Sequence, residues 1–463
     1  MPGDRPHLIV VGHGAAGLAA ALAAVEAAPE LQVTVLERAA ADAAGGGTRW
    51  SPSNLRMQST DALAPGFEAD MTRACGPPTD RAYFARLAAA APDTIGWVAR
   101  HGVAFHAPGY YLSAGPPRIQ PVGGGAALVD ALAAAARRAH VAFHYGCTVE
   151  SLVRRDDSRV DGVAVTRDGV SRTLAADAVV LASGGFQGNP AMLQQHFGPG
   201  GESLRPISPG TSGNAGAGIR MALAAGALPA GDWNGMHAEP VDARSTASAP
   251  VVLVYPYGIV VDREGRRFFD EGAGLVHETW EQFARAIHFE TPGRRAWAIL
   301  DTRYRDIPGF ERAIRSDVPP LQADSIDALA ALAGVAPEGL AITVAAYNAA
   351  CTGAASRFDA TRTDGLAAAA GLVPAKSNWA RALDRPPYFA YPLAGAIAYT
   401  FGGIATTTDA EVLGAQGIIP GLYAAGEITG HFHGTAPNAV AVLRALVFGR
   451  IAGRNAAVFA RRG

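Results

Sequence analysis

Two stretches of the chain concentrate residues that could do chemistry. In VVGHGAAGLAA, Gly12, Gly14 and Gly17 stand in GxGxxG spacing after the apolar run HLIVVG and at the head of an alanine-rich segment. Glycines so spaced allow a tight strand-to-helix turn, a close approach of backbone to a pyrophosphate, and close helix–strand packing. The first amides of the helix, those of Ala15 and Ala16 among them, then face the negative charge. Glu37 ends the next strand-like run, LQVTVLER, where a carboxylate would accept hydrogen bonds from an adenosine ribose. An ordinary strand, turn and helix is the bland alternative; spacing and acid together point to a dinucleotide. Near the other end, GEITGHFHGTAPNAVAVLRALVFGRIAG sets His431, His433, Pro437, Asn438 and Arg444 among small apolar residues. A core helix has no use for such groups, because burying them unpaired is costly.

Only one such fingerprint exists, since the second glycine cluster, Gly123 to Gly125, follows proline-rich sequence instead of a strand. An enzyme passing hydride between nicotinamide and flavin would usually show two. One bound FAD is the expectation.

These residues need elements to position them. Residues 7–38 read as strand, glycine turn, helix and strand, a βαβ start. A helix is expected at about 126–139, followed by valine-rich strands through VAFHYGCTVESLVRR and DAVVLASGG. Residues 50–122 read as an insertion with helical pattern around 79–101. After about 230, Trp, Pro, Tyr and Arg become frequent and YGIVVDREGRRFFDE reads as a hairpin. The expected division is an FAD-binding domain over 1–236, with the helical insertion 50–122, a capping or substrate domain over 237–385, and the rest of the FAD-binding domain over 386–463. The closing helix is expected from about 438 to the end.

Composition narrows the field. The chain has 463 residues, 49% hydrophobic against 17% charged, enough for a large core. A formal net charge of -2 offers no basic field for nucleic acid. Cys75, Cys147 and Cys351 are scattered and form no metal or disulfide pattern. No apolar run reaches membrane-spanning length, and the start of the chain reads as a first strand and not as a leader, so a cytoplasmic location is expected.

The GHGAAG turn with Glu37 and Arg38, GGGTRW at 45–50, GGGAALVDAL at 123–132, DAVVLASGGF at 177–186, GIVVDREGRRFFDE at 258–271, YTFGGIATTTDAEVL at 399–413 and GLYAAGEITG at 421–430 resemble, in order, the fumarate reductase and succinate dehydrogenase flavoprotein family. GGGTR followed by NLRM, and AYPLAGAIAYTFGG, are most similar to its tricarballylate dehydrogenase branch. The resemblance implies an α/β fold: a Rossmann-like FAD-binding domain of the glutathione reductase type with an inserted, mobile α+β cap. It also implies that Gly12, Gly14, Ala15, Ala16, Gly17, Glu37 and Arg38 hold the ADP half. Gly46, Gly47 and Thr48 would approach the pyrophosphate and flavin ring, with Val149 at the adenine, Ala182 and Gly184 in the DAVVLASGGF turn, and Glu427 at the ribityl chain. Asn438 to Val442, with Val440 and Ala441, would aim backbone amides at the flavin pyrimidine. No histidine occupies the GGGTR segment, so the FAD is expected to be non-covalent.

The substrate residues depart from fumarate reduction proper. Ala215 to Gly218 replace a Thr-Gly-acid-Gly element, Leu275 falls where the proton-donating arginine would stand, Ala398 and Tyr399 replace paired histidines, and Pro437 replaces the arginine of HGANR. Desaturation or reduction beside a carboxylate or ketone needs a proton carrier and groups that hold the activating carbonyl. The candidates are Tyr399, His433, Arg56, Arg49 and Arg444. Arg56 could instead cap a helix or pair with an acid, Tyr399 could be a packed strand aromatic, and Arg444 could form a buried ion pair. His431 is expected at the surface or behind the site, and His237 and Glu239 in MHAEP are further possibilities at the domain boundary. The expected activity is FAD-dependent oxidoreduction of a CH–CH bond next to a carboxylate or ketone in a small anionic substrate such as tricarballylate, with a quinone, an electron-transfer protein or oxygen as acceptor. Two rivals stay open: a 3-ketosteroid dehydrogenase-like desaturase using Tyr388, Tyr391 and Tyr399, and an electron-transfer subunit without substrate chemistry.

Overall fold

The computed structural model describes residues 5–109, 112, 115–155 and 159–462. The run HLIVV alternates no polar residue, as a strand covered on both faces should not, and it forms the strand His7–Val11 near the middle of a six-stranded sheet. Its parallel neighbours are Gln32–Leu36 and Ala178–Leu181. Ala142–His144 and Gly417–Ala424 extend the sheet in parallel, and Glu411–Gly414 closes one edge antiparallel.

The alanine-rich segment is the helix Ala15–Ala27, buried along most of its length. Small residues are needed because the closing helix, Ala441–Ala460, lies directly against it: a Cβ on Gly449 would stand 2.4 Å from the Ala16 carbonyl oxygen, and one on Gly453 2.0 Å from that of Ala20. The two helices therefore meet backbone to backbone, and they tie the first and last parts of the sequence into one unit. Between them in sequence come the helices Phe67–Cys75, Arg81–Arg100 and Gly124–Arg138, and a three-stranded meander of Cys147–Arg155, Arg159–Arg167 and Val170–Ala175.

A second sheet is organised around one long strand, Tyr388–Thr400. Met236–Asp242, Ala296–Asp301 and Leu321–Ala323 pair with it antiparallel, Arg205–Pro206 pairs in parallel, and Ile259–Val261 lies beyond Ala296–Asp301. The helix Val276–Glu290 crosses this sheet so closely that a Cβ on Gly395 would fall 2.1 Å from the Ala284 carbonyl oxygen. The segment from 386 onward thus begins inside the second sheet and reaches the first only after Thr400. The run FAYPLAGAIA is apolar because both of its faces are covered.

Cys75, Cys147 and Cys351 are free thiols. Among the described residues no helix is long and apolar enough to cross a membrane, and no group of side chains could hold a metal ion.

Candidate active site

A continuous cleft of about 2120 Å³, mouth included, runs from Cys147 and Val149 past the glycine turn to Tyr399, His237 and Arg315. At its first end the wall is mostly backbone. Glu37 accepts hydrogen bonds from the amides of His13 at 2.9 Å and Ala39 at 2.8 Å, which fixes its carboxylate beside the turn. Thr48 Oγ accepts from the Ala15 amide at 3.3 Å, and Arg38 donates to the Gly213 carbonyl at 2.9 Å.

The glycines of the turn separate into two kinds. Gly12, at φ +112°, and Gly17 are demanded by the protein's own packing: a Cβ would meet the Ala182 oxygen at 2.4 Å or the Gly12 oxygen at 1.9 Å. Gly14 and Gly47 are not, since a Cβ there meets nothing nearer than 3.6 Å and 3.7 Å. Their bareness leaves room over the cleft. Four polar atoms on the same walls, Trp50 Nε1, Asn54 Oδ1, Ser183 Oγ and Asn438 Nδ2, are buried without a hydrogen-bond partner among the described residues. Buried polar groups are normally satisfied, so an uncovered backbone cradle and unpaired donors and acceptors fit a large polar dinucleotide such as FAD.

In the middle of the cleft lies Glu427. It accepts from the Thr400 amide at 3.0 Å, Gln187 Nε2 at 3.3 Å and Asn214 Nδ2 at 3.4 Å. Burial outweighs these donors and raises its pKa. Beside it the closing helix starts at Ala441, later than 438, because Ala439 adopts φ +61° and breaks the helical path. Asn438, Ala439, Ala441, Val442 and Arg444 line the cleft there, as do Ala15, Ala16, Ala182, Gly184 and Gly46 to Thr48; Val440 and Gly17 are packed behind it.

Of the five catalytic candidates, Tyr399 and Arg444 line the cleft and the other three do not. Arg56 is buried and holds the turn before the closing helix, donating from Nε to the Asn438 carbonyl at 2.9 Å and pairing with Asp70 at 3.2 Å. Arg49 pairs with Asp130 at 2.7 Å. His433 stands in a loop anchored to the helix Phe67–Cys75 through the Thr435 amide and the Ala74 carbonyl. His431 lies behind the site, buried, bonded to Thr406 and Asp80 and stacked on Tyr83 at 3.7 Å. Tyr388 and Tyr391 sit further back in their strand, outside the cleft lining, and Leu275 is the residue before the helix Val276–Glu290.

At the far end the wall is built of side chains. His237, opposite Tyr399 across two paired strands, faces Glu281 Oε2 at 3.2 Å through Nδ1 and Glu239 Oε1 at 3.0 Å through Nε2. Burial alone would lower the pKa of His237, but the two carboxylates overcome it and raise it to about 9. His237 is therefore an imidazolium at neutral pH. Glu281 also accepts from the Ala436 amide at 3.4 Å, joining the helix Val276–Glu290 to the segment before the closing helix. The Tyr399 ring lies 5.0 Å from that of His237. Burial first and the Glu281 charge second push the phenol pKa up, so it stays protonated. Arg118, Arg315, Trp280, Ile207 and Ala249 complete the wall. The sequence reading missed Glu281, Trp280, Arg118 and Arg315. They come from three separate segments, Trp280 and Glu281 sharing the helix Val276–Glu290, and no local motif marks them.

The family model for an FAD binding domain matches residues 7–441. Over 481 residues the chain is 29% identical to a fumarate reductase (cytochrome) of Shewanella frigidimarina, covering 100% of this chain and 78% of that protein. It is 30% identical over 368 residues to a 4-oxocyclohexanecarboxylate 2-dehydrogenase of Sinomonas cyclohexanicum, covering 72% of this chain and 61% of that one. Among solved structures, the open conformation of a flavocytochrome c3 fumarate reductase superposes with a TM-score of 0.80 at 27% identity, covering 99% of this chain and 79% of that one. A 3-ketosteroid-Δ4-(5α)-dehydrogenase from Rhodococcus jostii RHA1 gives 0.71 at 25% identity, covering 98% and 97%. With its glycine turn, its bare backbone cradle and a family match over nearly its whole length, the chain belongs to the FAD-binding flavoprotein family of fumarate reductase and succinate dehydrogenase, and is an FAD-dependent oxidoreductase.

Proposed function

We propose that the protein adds or removes two hydrogens across the carbon–carbon bond of a small carboxylate-bearing substrate, with Tyr399 as the proton carrier. The observation that carries this reading is the position of Tyr399 on the cleft wall between Glu427 and the His237 cluster, with its phenol held protonated. FAD, when bound, supplies the hydride chemistry. The chain's own residues hold the substrate and handle the proton. A protonated phenol can donate to carbon, which suits saturation of a C=C bond; desaturation requires that Tyr399 first lose its proton, helped by the Arg444 charge, which lowers its pKa.

Arg118 and Arg315 place positive charge on the wall that faces a substrate, and guanidinium groups are suited to carboxylates. A tricarballylate-like polycarboxylate would use both. A second reading is favoured by Ile207, Ala249, Trp280 and Ala398 on the same wall, an apolar surface that suits a ring. A cyclic keto acid, of the kind named for the Sinomonas relative, would use arginine and apolar wall together. In either case the long strand Tyr388–Thr400 links the proposed cap to the flavin domain, whose parallel sheet we read as the glutathione reductase type. A quinone, an electron-transfer protein or oxygen would serve as acceptor.

The test is anaerobic. FAD-loaded protein reduced with dithionite is mixed with unsaturated polycarboxylates, cyclic keto acids and neutral enones, and flavin absorbance is followed. Carboxylate-bearing compounds should reoxidise the wild type, and Tyr399→Phe should slow that reoxidation by roughly 10²-fold or more. Reoxidation by neutral enones alone would overturn the substrate class, and an unimpaired Tyr399→Phe would overturn the proton carrier.

A further inference from the structure

Arg444 lies near the start of the closing helix, is 0% exposed, and lines the cleft. Its Nη1 donates to the Thr429 carbonyl at 3.2 Å and its guanidinium carbon sits 3.8 Å above the Phe432 ring. Nε and Nη2, although buried, find no hydrogen-bond acceptor among the described residues beyond the neutral Tyr83 hydroxyl close by. Arg450, further along the same helix, is paired with Asp93 at 2.6 Å, whereas Arg444 has no ion pair among the described residues. The groups around it are Tyr83, Cys75, His431, Tyr399 and Glu427. Glu427 is the carboxylate of that set, and its oxygens are already engaged by Thr400, Gln187 and Asn214. An arginine cannot shed its proton to escape burial, so an unpaired one is costly unless negative charge arrives from elsewhere.

The surroundings add to the same field. The first amides of a helix have no partner within it and form its positive end. Here the first turn includes Ala441 and Val442, both on the cleft wall. We propose that Arg444 and the open first turn of the closing helix form one anion-binding locus, whose counter-charge is an anionic oxygen of the bound molecule. Two sources share that chemistry: the ring of the reduced flavin and a carboxylate of the substrate. The inference rests on the FAD-bearing cleft and not on the role of Tyr399.

The experiment compares wild type, Arg444→Lys and Arg444→Met, each FAD-loaded and also stripped of FAD. Three quantities are read: the two-electron reduction potential of the flavin, its affinity for sulfite, whose addition leaves negative charge on the ring, and the dissociation constant of succinate from the flavin absorbance. If the flavin supplies the charge, Arg444→Met weakens sulfite binding about tenfold and lowers the potential by about 30 mV, the equivalent for a two-electron couple. Succinate binding then holds. If the substrate supplies it, succinate binding weakens about tenfold and the other two hold. Arg444→Lys should keep most of whichever effect is seen. The locus is overturned if Arg444→Met leaves all three within twofold, or if Lys and Met lose equally. It is also overturned if FAD-free Arg444→Met melts below FAD-free wild type, because removing an uncompensated charge should not destabilise the empty protein.

Discussion

The two ends of the cleft are made of different material. At the nucleotide end, Glu37 bonds to amides within the same βαβ unit, and bare glycine backbone forms the floor. At the opposite end, His237, Glu281, Arg315 and Tyr399 converge from a strand, a helix, a loop and the far end of a second strand. A site built from neighbouring backbone shows in the order of residues. A site built from distant side chains shows only after the sheets have formed.

The largest effects should come from breaking the backbone end. In Gly17→Ala the added carbon would stand 1.9 Å from the Gly12 oxygen, so we expect no folded, yellow protein. Gly14→Val should instead fold and retain its circular dichroism but bind FAD at least about 100-fold more weakly, because its side chain fills the cradle and not the protein. Equal behaviour of the two variants would erase the distinction between packing and ligand glycines.

Next in size is the side-chain end. Tyr399→Phe should retain FAD while losing roughly 10²–10⁴-fold in turnover, as loss of a proton carrier does; retention of both would remove Tyr399 from the chemistry. A smaller effect is set by His237. Its pKa rises from 6.5 in the unfolded chain to about 9 in the fold, so its contribution to stability is fully present below about 6.5 and is lost as pH rises through about 9. Thermal denaturation from pH 6.5 to 9 should show a fall in melting temperature that His237→Gln largely abolishes. A fall of the same slope in both proteins would place it in other groups.

The smallest effect belongs to Arg49. Its partner Asp130 is 65% exposed, and such surface pairs are worth about 0–1 kcal/mol. Arg49→Ala should change turnover by less than about twofold, and a larger loss would return Arg49 to the reaction.

Much of the fold was legible beforehand. The strand His7–Val11, the helix Ala15–Ala27 and Glu37 follow one another closely, and their contacts are local. The helix expected over 79–101 is Arg81–Arg100. The strand Tyr388–Thr400 joins the second sheet through partners up to about 190 residues away, beginning with Arg205–Pro206, and no local pattern announces them. Arg56 and His433 were chosen for standing near family motifs. Arg56 turned out to brace the Asn438 carbonyl, and His433 sits on a loop held by the Phe67–Cys75 helix, since nearness in sequence does not set the direction of a side chain.

By itself the sequence determined that this chain binds a dinucleotide and carries an arginine within an apolar closing segment, because spacing and residue type suffice for both. Only the tertiary structure decided which groups face the reaction. His237 becomes an imidazolium because Glu239, two residues on, and Glu281, on another element, meet it from opposite sides. Arg444 has no ion pair among the described residues, on a helix pressed against Ala15–Ala27 with its first turn open to the cleft. Both are properties of the field at a point in space, to which residues from the whole chain contribute.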